Sequence, residues 1–269
     1  MKENKAMRQK GIIYIATISG GKDSTAMCDL LLKNDYPVDY IIFNDTTNEF
    51  KEMYEYIEKL KIYFKSRYGK EITVTTPNVN FSNSILRKVK RSATLSRNGQ
   101  AVGIPVPKGE AMCHLRKTLK INPTESWIRK NIKNQEYKIY IGFTTDEKGR
   151  ANNSKGNEIY PLIDFFDMSE KDCKHYLSKQ EMENPLYKHF IRTGCKLCPY
   201  KSETDWWKLY NYFPEDYKEA VEIEKSLEKQ KEYKYFLGMK PLAQWANNFK
   251  QGSLFDFSDE PLKDCFCKI

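Results

Sequence analysis

The chain has 269 residues, of which 40% are hydrophobic and 30% charged, and its 45 Lys and Arg against 36 Asp and Glu give a net charge of +9. That length leaves room for one α/β domain and a modest appendage, with a core that needs no disulfide staples. No apolar run approaches membrane-spanning length and the polar start at residues 1–5 lacks a signal peptide's apolar region, so a cytoplasmic protein with no membrane partner is expected. The positive excess favours polyanionic partners, although a lysine-rich solvated surface explains it equally well.

In chain order, the β-branched run at residues 12–18 reads as a strand, S-G-G-K-D-S-T at 19–25 as a tight turn, and the apolar periodicity of residues 26–32 as a helix. At such a turn, glycines let the backbone approach a ligand, and the unpaired amides of the first helical turn face an anion. Ala16 and Asp23 stand where a Walker A loop needs Gly and Ser or Thr, so that loop is set aside. Residues 38–44 form a second buried strand, D-T-T-N-E-F follows at 45–50, and Met53, Tyr56, Ile57, Leu60 and Phe64 mark the crossover helix. A third strand at 71–76 stops at Pro77.

The basic stretch 78–112 has little periodicity and reads as a mobile lid, a nucleic-acid contact or a solvated loop. A helix from about His114 to Asn131, interrupted near Pro123, precedes a strand at 137–143, and a loop at 144–150 ends that strand. Residues 160–164 read as a loop packed on the sheet edge, and residue 169 begins a capped helix. Aromatic-rich helices follow, including 217–232 and 236–249. The pattern predicts a doubly wound, mainly parallel α/β sheet over residues 1–184 and a small helical, cysteine-containing region over 185–269, with the ligand at the carboxyl ends of the strands.

Several ordered segments carry a resemblance: S-G-G-K-D-S at 19–24, D-T-T-N-E-F at 45–50 with Thr47 for a glycine, and C-H-L-R-K at 113–117. G-F-T-T-D-E-K-G-R at 142–150, Y-P-L at 160–162, N-P-L-Y at 184–187 and R-T-G-C-K-L-C-P at 192–199 complete the set. Together they resemble the phosphoadenosine phosphosulfate reductase family of the adenine-nucleotide alpha-hydrolase superfamily, with its pyrophosphate-binding loop. The resemblance implies that amides of Gly20, Gly21 and Lys22 and hydroxyls of Ser19, Ser24 and Thr25 wrap the phosphates of an adenine nucleotide, with Lys22 adding a cation. Asp23 then holds the loop's shape or reaches a magnesium ion. Asp45 and Glu49 meet ribose, adenine or a metal, or else cap a helix beginning at Glu49. Lys120 and Arg150 are candidates for neutralising the far end of the anion, with Arg116 and Lys117 behind them.

Cys195-x-x-Cys198 is a ligand pair in search of partners, because two thiolates do not complete a four-coordinate shell. In the family's iron-sulfur branch a Cys-Cys pair joins such a motif about eighty residues later. Cys113, 82 positions before Cys195, matches the second member of that pair, and Met112 replaces the first. The implied set is Cys113, Cys195 and Cys198, with the fourth position either filled by the Cys265-Phe-Cys267 tail, Cys265 being the candidate ligand, or left open as in tRNA-thiolating relatives. A 4Fe-4S cluster is expected, zinc being the competitor. Cys28 and Cys173 fall on helical patterns as core residues, and the three histidines show no spacing.

The family's C-terminal E-C-G-hydrophobic-H tail is absent; Cys265 and Cys267 lie in an unrelated context. The leading expectation is therefore an ATP-dependent enzyme that adenylylates a nucleic-acid atom in tRNA or DNA and replaces oxygen with sulfur, supplied by a cluster, a tail thiolate such as Cys267 or a sulfur-donor protein. The alternatives are a reductase forming sulfite from phosphoadenosine or adenosine phosphosulfate (PAPS or APS), and a nucleotide-binding interaction module.

Overall fold

The computed structural model describes residues 8–90, 97–105, 113–151, 156–252 and 257. Five parallel strands, β1 (Ile12–Ile18), β2 (Tyr40–Asn44), β3 (Ile72–Thr75), β4 (Glu136–Tyr140) and β5 (Glu158–Ile159), form a sheet ordered β3-β2-β1-β4-β5. The helices are α1 (Lys22–Lys33), α2 (Lys51–Tyr68), α3 (Phe81–Leu86), α4 (Asn122–Asn131), α5 (Lys148–Ala151) and α6 (Pro161–Asp164). After them come α7 (Glu170–Lys179), α8 (Glu203–Tyr212), α9 (Pro214–Ser226) and α10 (Leu242–Gln251). The chain therefore has the expected doubly wound α/β architecture, followed by helices.

Strand β1 is central, pairing with β2 through Ile15↔Tyr40 to Ile18↔Phe43 and with β4 through Ile12↔Glu136 to Ala16↔Tyr140. Its neighbours lead to opposite edges of the sheet, so the loops leaving β1 and β4 part and open a crevice at their carboxyl ends. Ala16, Ala26, Met27, Cys28 and Leu31 are fully buried where α1 covers the sheet, and Ile15 packs in a separate cluster with Ile42 and with Ile128 and Ile132 at α4. One hydrophobic cluster continues from this packing through Phe50, Leu186 and Leu197 to Trp206, Ala220, Phe236 and Phe249. Asp29, also fully buried, ties three helices together: its carboxylate accepts from the hydroxyls of Tyr63 and Tyr68 on α2 and of Tyr176 on α7. Buried Cys28 and Cys173 are core residues, as their helical spacing indicates.

Several boundaries differ from expectation for local reasons. Helix α2 starts at Lys51 with Phe50 at its cap and no side-chain cap bond, so neither Asp45 nor Glu49 caps it. Between 114 and 131 the chain makes a π-turn (Lys117–Ile121) before α4, where Pro123 lacks the N–H that a continuous α-helix would use. Residues 161–164 form a helical turn rather than a loop. Helix α9 ends at Ser226, and α10 starts only after Pro241. Between them Phe236 and Leu242 are pinned by amide bonds to the buried carboxylate of Glu224.

Candidate active site

The turn after β1 is built by steric need. Gly20 has φ +74°, and a Cβ there would fall 2.3 Å from Met53 Sδ. Gly142, just past β4, runs so close to α1 that a Cβ would lie 2.9 Å from the backbone of Ser24. The Ser24 hydroxyl accepts from the Ser19 N–H at 3.1 Å and stands 3.0 Å from the Ser19 hydroxyl.

The turn at 184–187 clamps this loop from outside. Asn184 Nδ2 donates to the Gly20 carbonyl at 2.8 Å, and the Lys22 N–H donates to the Tyr187 hydroxyl at 2.9 Å. The sequence reading matched N-P-L-Y as a turn and assigned it no part in the site; its asparagine and tyrosine were the available signal.

Two expected phosphate contacts are placed differently. The Lys22 ammonium is only 11% exposed and sits 2.7 Å from Glu170 and 3.8 Å from Asp23. Burial opposes its charge, but these carboxylates outweigh burial and raise the lysine's pKa. The Thr25 side chain is fully buried on the core side of α1.

Asp23, Glu147 and Glu170 bring carboxylate oxygens within 4.8 Å of one another, the one such ligand group among the described residues. Lys22 balances it on one side, and Arg150, 2.6 Å from Glu147, on the other. Arg150 thus folds back over the Phe143 ring, 4.6 Å from its centroid, instead of lining the cleft. Glu147 and Glu170 escaped the sequence reading because they meet Asp23 only through the fold.

The cleft encloses about 150 Å³. Ser19, Gly21, Lys22, Asp23 and Ser24 line one wall, Arg116 and Lys120 stand nearby, and Cys113, Cys195 and Cys198 line the same space. An adjoining recess of about 40 Å³ holds Thr17, Asn44, Glu49 and Lys120, and shares Ser19 and Cys195 with the main cleft. Glu49 accepts from the Thr46 hydroxyl at 2.5 Å; burial pushes its carboxyl up to about 7, against the opposing pull of Lys120. Asp45 turns away to its own loop, accepting from the Thr47 N–H at 2.7 Å and the Tyr54 hydroxyl at 2.9 Å.

Thr47, at the family's glycine position, has φ +59°. Its hydroxyl oxygen accepts from the Phe81 N–H at 2.8 Å, which joins this loop to α3.

The cysteine loop is suspended from the same region. The Lys196 N–H donates to the Asn48 carbonyl at 2.8 Å and the Leu197 N–H to Asn48 Oδ1 at 3.3 Å. Lys196 Nζ reaches Asp216 at 2.9 Å and Glu219 at 2.6 Å on α9. One tetrahedral zinc with bonds near 2.3 Å would bring its sulfurs to about 3.8 Å from each other. The thiols of Cys113, Cys195 and Cys198 do not form a group within 4.8 Å. Cys265 and Cys267 lie outside the described residues.

The model of the phosphoadenosine phosphosulfate reductase domain matches residues 13–201, more than two thirds of the chain. The chain belongs to the phosphoadenosine phosphosulfate reductase family. The match runs from β1 to just past the cysteine loop, so it includes every cleft-lining residue named above. Among solved structures, phosphoadenylyl-sulfate (PAPS) reductase from Candida auris in a phosphate complex is similar, with a TM-score of 0.42 and 15% identity over 65% of this chain and 76% of that chain. No curated protein matches. Family membership supports nucleotide-related chemistry and an enzyme of this superfamily. No helix among the described residues is long and apolar enough to cross a membrane.

Proposed function

We propose that this chain binds ATP and activates an oxygen of a nucleic acid by adenylylation, so that sulfur can replace it. One observation carries the reading: the 19–25 loop and the three thiols line a single cleft. The loop, with the Ser19 and Ser24 hydroxyls and the cations of Arg116 and Lys120, holds the triphosphate. The target oxygen attacks the α-phosphorus, pyrophosphate leaves on the loop, and the positive groups stabilise charge developing on the phosphoryl oxygens. Adenylate then departs with the original oxygen as sulfur takes its place. Glu49 and Asn44 in the adjoining recess are placed for the nucleoside or for the acceptor's polar edge.

Cys113, Cys195 and Cys198, gathered on one wall of the cleft, support a cluster held by three thiolates, with zinc as the competitor. When bound, a 4Fe-4S cluster would supply sulfur-binding iron on the wall facing the phosphates. The three carboxylates at Asp23 would take a magnesium ion only by loosening Lys22 and Arg150 from their partners.

The test is pyrophosphate release from ATP with RNA or DNA and a sulfide source, together with iron and zinc content after anaerobic purification. Acceptor-dependent pyrophosphate and bound iron are expected. Sulfite from PAPS or APS plus a thiol, without pyrophosphate release from ATP, would establish the reductase reading that the family's own description favours. Zinc in place of iron would remove the cluster from the scheme.

A further inference from the structure

The chain's positive charge is concentrated in one stretch. Residues 77–120 contain nine Lys or Arg and a single acid, Glu110, a net of +8; the rest of the chain supplies only the remaining +1. From 77 to 109 there is no Asp or Glu at all. A merely solvating surface looks different, as α2 shows: Lys51, Lys61 and Lys65 there stand beside Glu55, Glu58 and Glu71.

Two described segments of this stretch, 87–90 and 97–102, are paired by the fold. After α3 the chain doubles back, with Lys88 bridging Ala101, the Val89 N–H bonded to the Gln100 carbonyl and the Val102 N–H to the Arg87 carbonyl, both at 2.8 Å. Arg87, Lys88 and Lys90 are exposed and lie outside the cleft lining, so a mononucleotide in the cleft does not account for them. Arg97 lies over the Tyr233 ring, 4.3 Å from its centroid, and donates to the Val102 carbonyl at 2.9 Å.

Helix α3 supplies the link to the cleft: its Phe81 lines the cleft together with Cys113 and Arg116, and the helix ends at Leu86, directly before Arg87. The basic segment thus adjoins the thiol wall.

We propose that the paired segments 87–90 and 97–102, continued by Arg116 and Lys117, form a ridge that is the docking surface for the phosphodiester backbone of a nucleic acid, which it lays across the cleft mouth beside Cys113. Nine cations against one acid over residues 77–120 repel one another, and a run of phosphates relieves that repulsion while releasing counterions. The proposal rests on the nucleic-acid acceptor of the proposed function and adds where that acceptor binds.

Salt-dependent binding tests it, using fluorescently labelled single-stranded RNA, single-stranded DNA and duplex DNA with the full chain. The probe variant is Arg87→Ala/Lys88→Ala/Lys90→Ala, and the control, Lys59→Ala/Lys174→Ala/Lys179→Ala, removes three exposed charges elsewhere. Wild type is expected to bind with log Kd steeply dependent on log salt. The probe variant should lower the single-strand slope by about 2, at roughly 0.7 per phosphate contact, and weaken low-salt binding at least tenfold. The control should leave both unchanged, and all three proteins should keep the same thermal midpoint and the same stabilisation by ATP.

Equal slopes for probe and wild type, or equal losses for probe and control, would overturn the ridge as the docking surface. Acceptor-dependent pyrophosphate release would in either case still stand or fall by itself. No binding of any of the three nucleic acids by wild type would overturn the inference outright. The preferred probe identifies RNA or DNA as the source of the backbone.

Discussion

Tyr187 illustrates how one side chain can serve stability at the expense of ligand binding. Its hydroxyl holds the Lys22 amide that a phosphate oxygen would otherwise take. Tyr187→Phe is therefore expected to cost about 1 kcal/mol, a fall of roughly 2–4 °C in thermal midpoint, while ATP binds severalfold more tightly in calorimetry. A parallel loss of affinity would instead make the hydroxyl a ligand group. Thr47 sets a similar contest, because its positive φ is strained whereas its hydroxyl secures Phe81. Thr47→Ala should destabilise by about 1 kcal/mol in urea, and Thr47→Gly should come out near neutral as relief of strain offsets the lost bond.

Glu49 gives the site a pH signature. Its carboxyl, raised to about 7, keeps its proton in the folded protein at pH values where the unfolded chain has released it. The associated stability is present below the ordinary carboxylate pKa of 4.5 and is lost as pH rises through 7. Glu224, also raised to about 7 by burial, adds a term of the same sign. Each of Glu49→Gln and Glu224→Gln should flatten the fall of thermal midpoint between pH 4.5 and 7; an unchanged profile in Glu49→Gln would show that its carboxyl is ionised throughout.

At the scale of elements, the cysteine loop depends on its neighbour. Asn48, almost fully buried, supplies both its carbonyl and its side-chain oxygen to the two residues between Cys195 and Cys198. Asn48→Ala keeps the backbone bond and removes the other. It should cost about 1–3 kcal/mol and reduce the metal content of anaerobically purified protein, although no thiol has been touched. If metal content is unchanged while stability falls, Asn48 braces the loop without setting its geometry.

The same scale explains what the sequence could and could not disclose. Strand β1 and the 19–25 turn were readable because a β-branched run, two adjacent glycines and a helical period lie side by side. The thiol wall was readable through the spacing of Cys113, Cys195 and Cys198, which a family resemblance preserves. Asp23, Glu147 and Glu170 were not, since pairs of acids 124 and 147 positions from Asp23 carry no periodic mark of their meeting. The Lys22 side chain was expected to face the anion because lysine is cationic; its deflection onto Glu170 depends on where α7 packs. The π-turn before α4 is the intermediate case, where Pro123 announced a break and left its form open.

For the whole molecule, the family match ends at residue 201, but the packing does not. Lys196 sits half-buried against Asp216 and Glu219 of α9, and the main hydrophobic cluster continues into Trp206, Ala220, Phe236 and Phe249. Anyone expressing residues 1–201 by themselves would expose the inner face of the sheet-covering core and strand a lysine without its acids. Such a fragment is expected to be insoluble or to melt well below the full chain, however complete its sequence motifs look, whereas a fragment carried through α10 should behave like the parent. The segment that names the family is thus a smaller object than the one that folds.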